Sequence, residues 1–322
     1  MVQLIHFFLN QNYEIHFACA ASKTEFSHDL IKLGVKEEFI KLNNESFNHY
    51  IKNLKPEIVL FDRYIIEEQY GWRVHQECPA AMTILDTEDL HFLRRARLQS
   101  TKKSQELDLF CDNSKREIAS ILRCDLSLII SEEEIKLLRE QFKINQSLLF
   151  YLPFLEEEIT ETQINNWLSF SERADFIFIG NFLHEPNWHT VQYLKTEIWP
   201  ILRNKLPQAK LNIYGAYLSQ KVLQLNNPKE NFNILGRAEN AKTAIAKHKI
   251  LLAPIQFGAG VKGKFIDAMH VGTPSVTTTI GAEAMKGNLD WCGFIEDDIE
   301  QFVNKAVKLY VEEEIWLKAQ QN

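Results

Sequence analysis

Short apolar runs, rich in β-branched and aromatic residues, alternate with amphipathic stretches along the whole chain. This alternation is typical of βα units, in which parallel strands are joined by helices. The pattern therefore predicts an α/β protein. The expected strands cover residues 14–19, 38–42, 57–61, 82–85 and 126–130 in the first half of the chain, and residues 175–179, 210–214, 233–235, 250–253 and 275–278 in the second.

The two series of βα units are separated near residue 152. Residues 149–155 include Pro153 and lack helical periodicity, and the second series follows them. The 322 residues are also more than one hydrophobic core usually serves. We therefore expect two doubly wound, Rossmann-like domains, residues 1–152 and 153–322, that face a cleft.

The start of the chain departs from this pattern. Leu4, Ile5, Phe7 and Phe8 have the spacing of the apolar stripe of a helix, and the first predicted strand follows them. The opening strand of a doubly wound domain is normally central in its sheet. We therefore expect a truncated chain, whose amino-terminal domain lacks its first strand.

Two helix starts can be predicted from their first residues. Ser131 with Glu134 three residues later indicates a capping box, in which the serine accepts from the first turn and the glutamate reaches back. Pro186 fits the first turn of a helix that runs toward Leu202, because no amide donor is needed there.

Composition and charge limit the partners. A net charge of -7 argues against a nucleic-acid-binding surface spread over the molecule, so no nucleic acid partner is expected. The five cysteines are scattered without a C-x-x-C pair, which favours a cytoplasmic protein. The basic residues Arg94, Arg95, Arg97, Lys102 and Lys103 leave peripheral contact with anionic lipid open, although such a run more often covers a solvated helix face.

The clearest chemical signal lies after the predicted strand at residues 250–253. A glycine-rich loop follows at residues 257–264, and a helix begins at Phe265. The glycines let backbone amides approach an anion, and the helix amino terminus adds partial positive charge. Lys262 and Lys264 add full charges. The order strand, loop, helix therefore predicts a phosphate site, since a plain turn needs one glycine and no lysines.

Two classes of phosphate-binding protein match the loop formally. Gly258-x4-Gly263-Lys264 is a Walker A pattern, but Phe265 replaces the hydroxyl residue that should bind magnesium. Gly258-x-Gly260-x-x-Gly263 is a dinucleotide fingerprint, with Glu283 at the distance of a ribose-binding acid. That fingerprint normally follows the first strand of its domain, whereas four predicted strands precede it here. An NAD-type oxidoreductase is therefore the chief alternative function.

A third class fits better. Residues 253–283, with the loop at 258–264, Asp267-Ala268-Met269 and Gly272-Thr273-Pro274, resemble the donor-site region of family-4 glycosyltransferases. Gly180-Asn181 with Pro186-Asn187 adds to the similarity. Members of that family are GT-B enzymes that take a sugar from a nucleoside diphosphate sugar. The resemblance therefore implies a glycosyltransferase.

The resemblance also implies roles for particular residues. The loop amides and the Lys264 ammonium would hold the donor diphosphate, and Asp267 would stand where the family has its second glutamate, which bonds the ribose hydroxyls. Ala259 stands where the family has its first glutamate. The implied donor-site residues are Gly258, Ala259, Gly260, Val261, Lys262, Gly263, Lys264, Asp267, Gly180 and Asn181. Because Gly180-Asn181 replaces the usual arginine and lysine, the two loop lysines would neutralise the leaving group largely alone.

A catalytic acid or base is expected from the first domain. Asp62 ends one predicted strand, and Asp86, Glu88, Asp89 and His91 follow another, at the sheet edge that faces ligands in open α/β folds. We take Lys264, Asp89 and His91 as the catalytic candidates.

No metal site is expected, because the nearest match, His184 to His189, has one residue too many for H-E-x-x-H and contains Pro186.

The sequence thus predicts a cytoplasmic, metal-independent glycosyltransferase of the hexosyltransferase type. The resemblance implies that the enzyme retains the anomeric configuration and acts in polysaccharide biosynthesis. Its donor would be a nucleoside diphosphate sugar, its acceptor a glycan or a lipid-linked molecule, and no cofactor would be permanently bound. An oxidoreductase and a truncated, inactive nucleotide-sugar-binding homologue are the alternatives.

Overall fold

The computed structural model describes residues 1–25, 27–103 and 106–322, apart from the side chain of Lys103. These residues form two compact units. The amino-terminal unit contains residues 1–88, 115–130 and 135–155, and the carboxyl-terminal unit contains residues 89–114, 131–134 and 156–322. The units are therefore not simple halves of the chain, since two segments from the first half belong to the second unit.

The structure contains parallel sheets joined by helices, as the alternating pattern predicts. The strands are β1 (His16–Cys19), β2 (Lys36–Phe39), β3 (Ile58–Asp62), β4 (Met82–Asp86), β5 (Leu126–Ile129), β6 (Leu149–Tyr151), β7 (Ala174–Asn181), β8 (Leu211–Ala216), β9 (Phe232–Gly236), β10 (His248–Ala253), β11 (Ser275–Thr277) and β12 (Gly293–Ile295).

The α-helices are α1 (Val2–Asn10), α2 (Ser46–Leu54), α3 (Tyr64–Glu77), α4 (His91–Lys103), α5 (Asp112–Arg123), α6 (Glu132–Glu140), α7 (Glu161–Asn165), α8 (Glu185–Tyr193), α9 (Trp199–Lys205), α10 (Gln220–Leu223), α11 (Ala241–Ala246), α12 (Gly263–His270), α13 (Thr279–Ala282), α14 (Ile299–Val311) and α15 (Glu313–Gln321). Short 3-10 helices cover Ile31–Leu33, Gln146–Leu148, Phe170–Glu172 and Pro228–Glu230.

Two parallel sheets lie in the amino-terminal unit. Strands β1 and β2 pair only with each other, in register from His16 opposite Lys36. The second sheet has the order β3-β4-β5-β6. In that sheet Asp62 and Asp86 are register partners at the carboxyl ends of β3 and β4.

The carboxyl-terminal unit is a doubly wound domain. Its six parallel strands have the order β12-β11-β10-β7-β8-β9. The central strand β10 is a nearly continuous apolar run, and Ile250, Leu251, Leu252 and Ala253 are fully buried. Such runs are typical of parallel strands covered by helices on both faces. The strand order reverses between β7 and β10, and the crevice outside the carboxyl ends of such a pair is where open α/β sheets bind ligands.

Most predicted elements are confirmed. The strands β6 and β12, of three residues each, were not predicted. The second strand lies at Lys36–Phe39 instead of at 38–42. The helix predicted from Pro186 toward Leu202 is interrupted by a π-helix at Leu194–Ile198, between α8 and α9.

None of the helices in the described part of the chain combines the length and the apolar character that a bilayer crossing requires.

Candidate functional site

The glycine-rich loop joins β10 to α12 at the switch point of the carboxyl-terminal sheet. The Thr277 hydroxyl donates to the Ala253 carbonyl (2.8 Å) and the Thr278 hydroxyl to the Ile255 carbonyl (2.5 Å), so the last residue of β11 and the residue after it fix the start of the loop. Gly260 has a φ of +63°, a left-handed conformation that favours glycine. The predicted order of strand, loop and helix is therefore confirmed.

Most backbone amides of the loop have no acceptor among the described residues. The Gly260 amide donates to Oε1 of Glu134 at 2.9 Å. From Val261 to Lys264, no amide donates to an acceptor in the part of the chain that the structure describes. The amides that open a helix are unsatisfied within it and bind anions readily. The loop therefore presents free donors at the start of α12.

Two lysine side chains lie at the same place. The Lys264 ammonium donates to Oδ1 of Asn187 (2.8 Å), and the Lys262 ammonium donates to the Gly260 carbonyl (2.8 Å). Neither ammonium forms an ion pair with a described residue. Burial, with the charge of Lys262, lowers the pKa of Lys264 to about 7, and burial lowers the pKa of Lys262 to about 8. An anion bound here would be the negatively charged partner that both ammonium groups lack among the described residues.

Asn187 links the loop to the end of β7. Its Nδ2 donates to the Asn181 carbonyl at 2.7 Å, while its Oδ1 accepts from Lys264. A Cβ on Gly180 would lie 2.7 Å from the Asn187 side chain, so only glycine leaves room for this arrangement. The structure thus brings Gly180 and Asn181, which the resemblance placed at the donor site, next to Lys264.

Asp267 lies one turn after Lys264 on α12. Its half-buried carboxylate has no hydrogen-bond partner among the described residues. Burial raises its pKa above the ordinary aspartate value, and the charge of Lys242 opposes that shift. The side chain is available to bind a ligand hydroxyl.

Arg97 of α4 holds the other end of the loop. Its guanidinium donates to both carboxylate oxygens of Glu283 (2.5 and 2.8 Å) and to the Gly258 carbonyl (2.7 Å). The sequence does not indicate this contact, because Arg97 stands in a basic run that is typical of a solvated helix face. Glu283 is therefore paired with a guanidinium, whereas a dinucleotide site needs a free ribose-binding acid.

The other described basic side chains of this run are also paired. Arg94 donates to Asp89 (2.6 Å), Arg95 donates to Asn113 (2.8 Å), and Lys102 bonds to Glu185. The run is therefore not a set of unpaired charges facing solvent. The side chain of Lys103 lies outside the described residues.

The catalytic candidates Asp89 and His91 belong to the same unit as the loop. Oδ2 of Asp89 accepts from Arg94, and Oδ1 lies 3.3 Å from Nε2 of His91. Asp89 can therefore orient the imidazole. Asp62 and Asp86, by contrast, lie in the amino-terminal unit, where burial raises the pKa of Asp86.

Glu134 has a different role from the one that its sequence position indicates. The Ser131 hydroxyl accepts from the Glu134 amide (3.0 Å), which confirms half of the capping box. The other half is wrong, because the Glu134 carboxylate accepts from the amides of Leu90 (3.3 Å) and Gly260 (2.9 Å). Burial, with the charge of Asp89, raises the pKa of Glu134 to about 7. No local pattern relates this glutamate to a loop 126 positions away.

The segment between His184 and His189 is a helix start, as expected: His184 is the cap residue of α8 and Pro186 lies in its first turn. Among the described residues, no three His, Cys, Asp or Glu side chains are grouped so as to hold a metal ion.

The carboxyl-terminal sheet and its loop match a known family. Residues 173–312 match the family model described as glycosyl transferases group 1. The match covers less than half of the chain. It confirms the resemblance found in the sequence, and the matched segment contains the candidate loop, both lysines, Asn187 and Asp267. No curated protein sequence matches the chain significantly.

Solved glycosyltransferase structures share the fold. A sucrose-phosphate synthase from Thermosynechococcus elongatus aligns with a TM-score of 0.71 and 13% identity, over 99% of this chain and 86% of that one. The Anabaena protein HepE, solved with UDP and glucose, aligns with a TM-score of 0.68 and 11% identity, over 99% and 89%. TarM aligns with a TM-score of 0.67 and 14% identity over 85% of this chain, which spans 52% of TarM. The likeness shows the GT-B fold with its two Rossmann-like domains.

Proposed function

We propose that this protein transfers a sugar from a nucleoside diphosphate sugar to a glycan or a lipid-linked acceptor. One observation carries the proposal. Two partly buried lysines lie at the amino terminus of α12, where the backbone amides are free, and neither lysine has an anionic partner among the described residues. At an effective dielectric constant near 20, a charge about 4 Å away contributes roughly 4 kcal/mol before desolvation. Two such charges favour a ligand with paired phosphates over a neutral one.

The same charges suit the chemistry of transfer. The bond between the anomeric carbon and the diphosphate oxygen breaks, and negative charge develops on the departing diphosphate. The Lys262 and Lys264 ammonium groups and the free amides stabilise that charge where it forms, without a metal ion. The acceptor hydroxyl forms the new bond to the anomeric carbon and gives up its proton. We propose that the configuration at the anomeric carbon is retained. His91, oriented by Asp89, is our candidate for receiving the proton of the acceptor hydroxyl.

The remaining contacts fit the rest of the donor. Asp267 would accept hydrogen bonds from the ribose hydroxyls, and Gly180 and Asn181 would border the diphosphate beside Asn187. UDP is the first nucleotide to test, because HepE was solved with UDP and glucose. In this proposal the amino-terminal domain, 1–152, binds the acceptor, and the carboxyl-terminal domain, 153–322, binds the donor.

A ligand screen tests the proposal directly. Thermal unfolding is measured with UDP, GDP, ADP, their sugar conjugates and NAD(H), because a ligand that binds only the folded protein raises the melting temperature. We expect a nucleoside diphosphate sugar to stabilise the protein and NAD(H) to have no effect. Stabilisation by NAD(H) alone, or by none of these compounds, would overturn the proposal.

Turnover separates an enzyme from an inactive homologue. The donor that stabilises the protein best is incubated with it, and release of the nucleoside diphosphate is followed with and without a glycan acceptor. Release is expected to exceed that of a Lys264→Ala variant. Tight binding with no release above that variant would indicate a binding protein instead.

A further inference from the structure

Glu134 joins two segments that are far apart in the sequence. It lies in the first turn of α6, and its side chain is almost completely buried, with 2% relative exposure. A single carboxylate oxygen, Oε1, accepts from the Gly260 amide at 2.9 Å and from the Leu90 amide at 3.3 Å. Gly260 belongs to the glycine-rich loop, and Leu90 lies between Asp89 and His91.

The second oxygen of this carboxylate is unusual. Oε2 is buried and has no hydrogen-bond partner in the part of the chain that the structure describes. Burying a carboxylate is costly unless its oxygens are bonded, so an apolar residue would serve packing better. Asp89 and Lys262 are the charged groups that act on Glu134, with opposite effects on its pKa, and the pKa lies near 7. Packing alone therefore does not account for a glutamate here.

The bond to Gly260 divides the loop amides into two sets. The Gly260 amide is occupied by the protein's own carboxylate, whereas the next four amides, from Val261 to Lys264, have no acceptor in the described part of the chain. A carboxylate at Gly260 would also repel a second anion placed beside it. The free amides and Lys264 lie where α12 begins, whereas the Lys262 ammonium donates to the Gly260 carbonyl.

We propose that Glu134 is a positioning residue of the donor site: it ties Gly260 to Leu90, and so confines the diphosphate contacts to the amides of residues 261–264. The proposal rests on the proposed function for the identity of the ligand. It adds that the loop geometry depends on one carboxylate from another segment, and that Gly260 does not bind phosphate.

Hydrogen exchange tests, without any ligand, the hydrogen bonds that the Gly260 and Leu90 amides donate to Glu134. Glu134→Ala removes the acceptor, and Glu134→Asp shortens the side chain by one methylene. Glu134→Gln keeps an oxygen that can accept hydrogen bonds from both amides. Peptides covering residues 256–264 and 88–92 are expected to exchange at least about tenfold faster in the alanine and aspartate variants. Glu134→Gln should match the wild type, as should Glu133→Gln, an exposed neighbour on the same helix.

Nucleotide affinity tests the consequence. UDP and GDP binding are measured by calorimetry at a temperature where every variant is folded. Glu134→Ala and Glu134→Asp should bind at least about tenfold more weakly than the wild type, whereas Glu134→Gln should stay within about threefold. A structural role alone would not give this rescue by glutamine together with failure of aspartate.

The failures can be told apart. If the wild type binds neither nucleotide, the proposed function fails. The exchange measurement still shows whether Glu134 holds the Gly260 and Leu90 amides. If the wild type binds but Glu134→Ala exchanges and binds normally, or Glu134→Gln is as weak as Glu134→Ala, the positioning role is wrong.

Discussion

The Lys264 ammonium lies 2.8 Å from Oδ1 of Asn187, a neutral acceptor, although burial and the nearby charge of Lys262 both disfavour its protonation. A buried cation is normally matched by a carboxylate. Here no carboxylate among the described residues pairs with the ammonium, and the free amides that open α12 lie on the same helix. We propose that a ligand supplies the negative charge. The predictions below follow from this arrangement.

Replacing Lys264 should remove most of the nucleotide affinity. We expect Lys264→Ala to abolish sugar transfer and to weaken UDP binding by roughly 10- to 100-fold, the range for a lost charge-assisted hydrogen bond. Calorimetry measures the affinity. Lys229→Ala, at an exposed lysine without an ion pair, is the matched control. Unchanged affinity in Lys264→Ala would refute the assignment.

Nucleotide binding should take up protons above neutral pH. The pKa of Lys264 is about 7 and that of Lys262 about 8 in the free protein, and a bound diphosphate raises both because it favours the charged forms. At pH 8 the free Lys264 is mostly neutral, so binding protonates it, and affinity falls as the pH rises from 7 to 9. Calorimetry in two buffers with different ionisation enthalpies measures the uptake.

Lys264→Ala is the comparison for this proton uptake. The variant should take up fewer protons than the wild type at pH 8. Heats that do not depend on the buffer in the wild type would show that neither lysine titrates on binding.

Gly180 should act through Asn187. A methyl group on Gly180 would lie 2.7 Å from the Asn187 side chain and push it away from Lys264. We expect Gly180→Ala and Asn187→Ala each to weaken UDP binding by about 5- to 20-fold, and the double variant to be no weaker than either single one. If the loss of affinity in the double variant equals the product of the two single losses, the two residues act independently.

Asp267 should recognise the ribose and not the phosphates. Its carboxylate has no partner among the described residues, and α12 places it one turn beyond Lys264. Asp267→Ala is expected to weaken UDP binding by about tenfold but to leave inorganic pyrophosphate binding unchanged. Equal losses of affinity for UDP and pyrophosphate in competition calorimetry would show that the Asp267 side chain stabilises the fold and does not recognise the ribose.

The Arg97 and Glu283 pair should stabilise the loop. Both side chains are mostly buried and joined by two hydrogen bonds, which is the strong form of an ion pair. We expect Arg97→Ala to lower the free energy of unfolding by about 2 kcal/mol, and Arg97→Lys to recover less than half of that, because lysine cannot bind both oxygens. Urea denaturation measures both, and Arg95→Ala is a control on the same helix.

The sequence by itself determined the α/β class, most of the strands and the phosphate-binding loop. These depend on local features: strand periodicity is carried by consecutive side chains, and the three glycines and two lysines lie within seven consecutive positions, 258–264. The sequence did not predict the short strands β6 and β12. The domain boundary at residue 152 and the roles of the loop residues in catalysis stay predictions.

Only the tertiary structure decided what surrounds the loop. It placed residues 89–114 and 131–134 in the carboxyl-terminal unit, and so brought Glu134 and Arg97 to two glycines of one loop, Gly260 and Gly258. In the sequence the first reads as a helix cap and the second as a surface charge. Both contacts join segments more than 120 positions apart, and local spacing carries no information about which distant backbone group a side chain will reach.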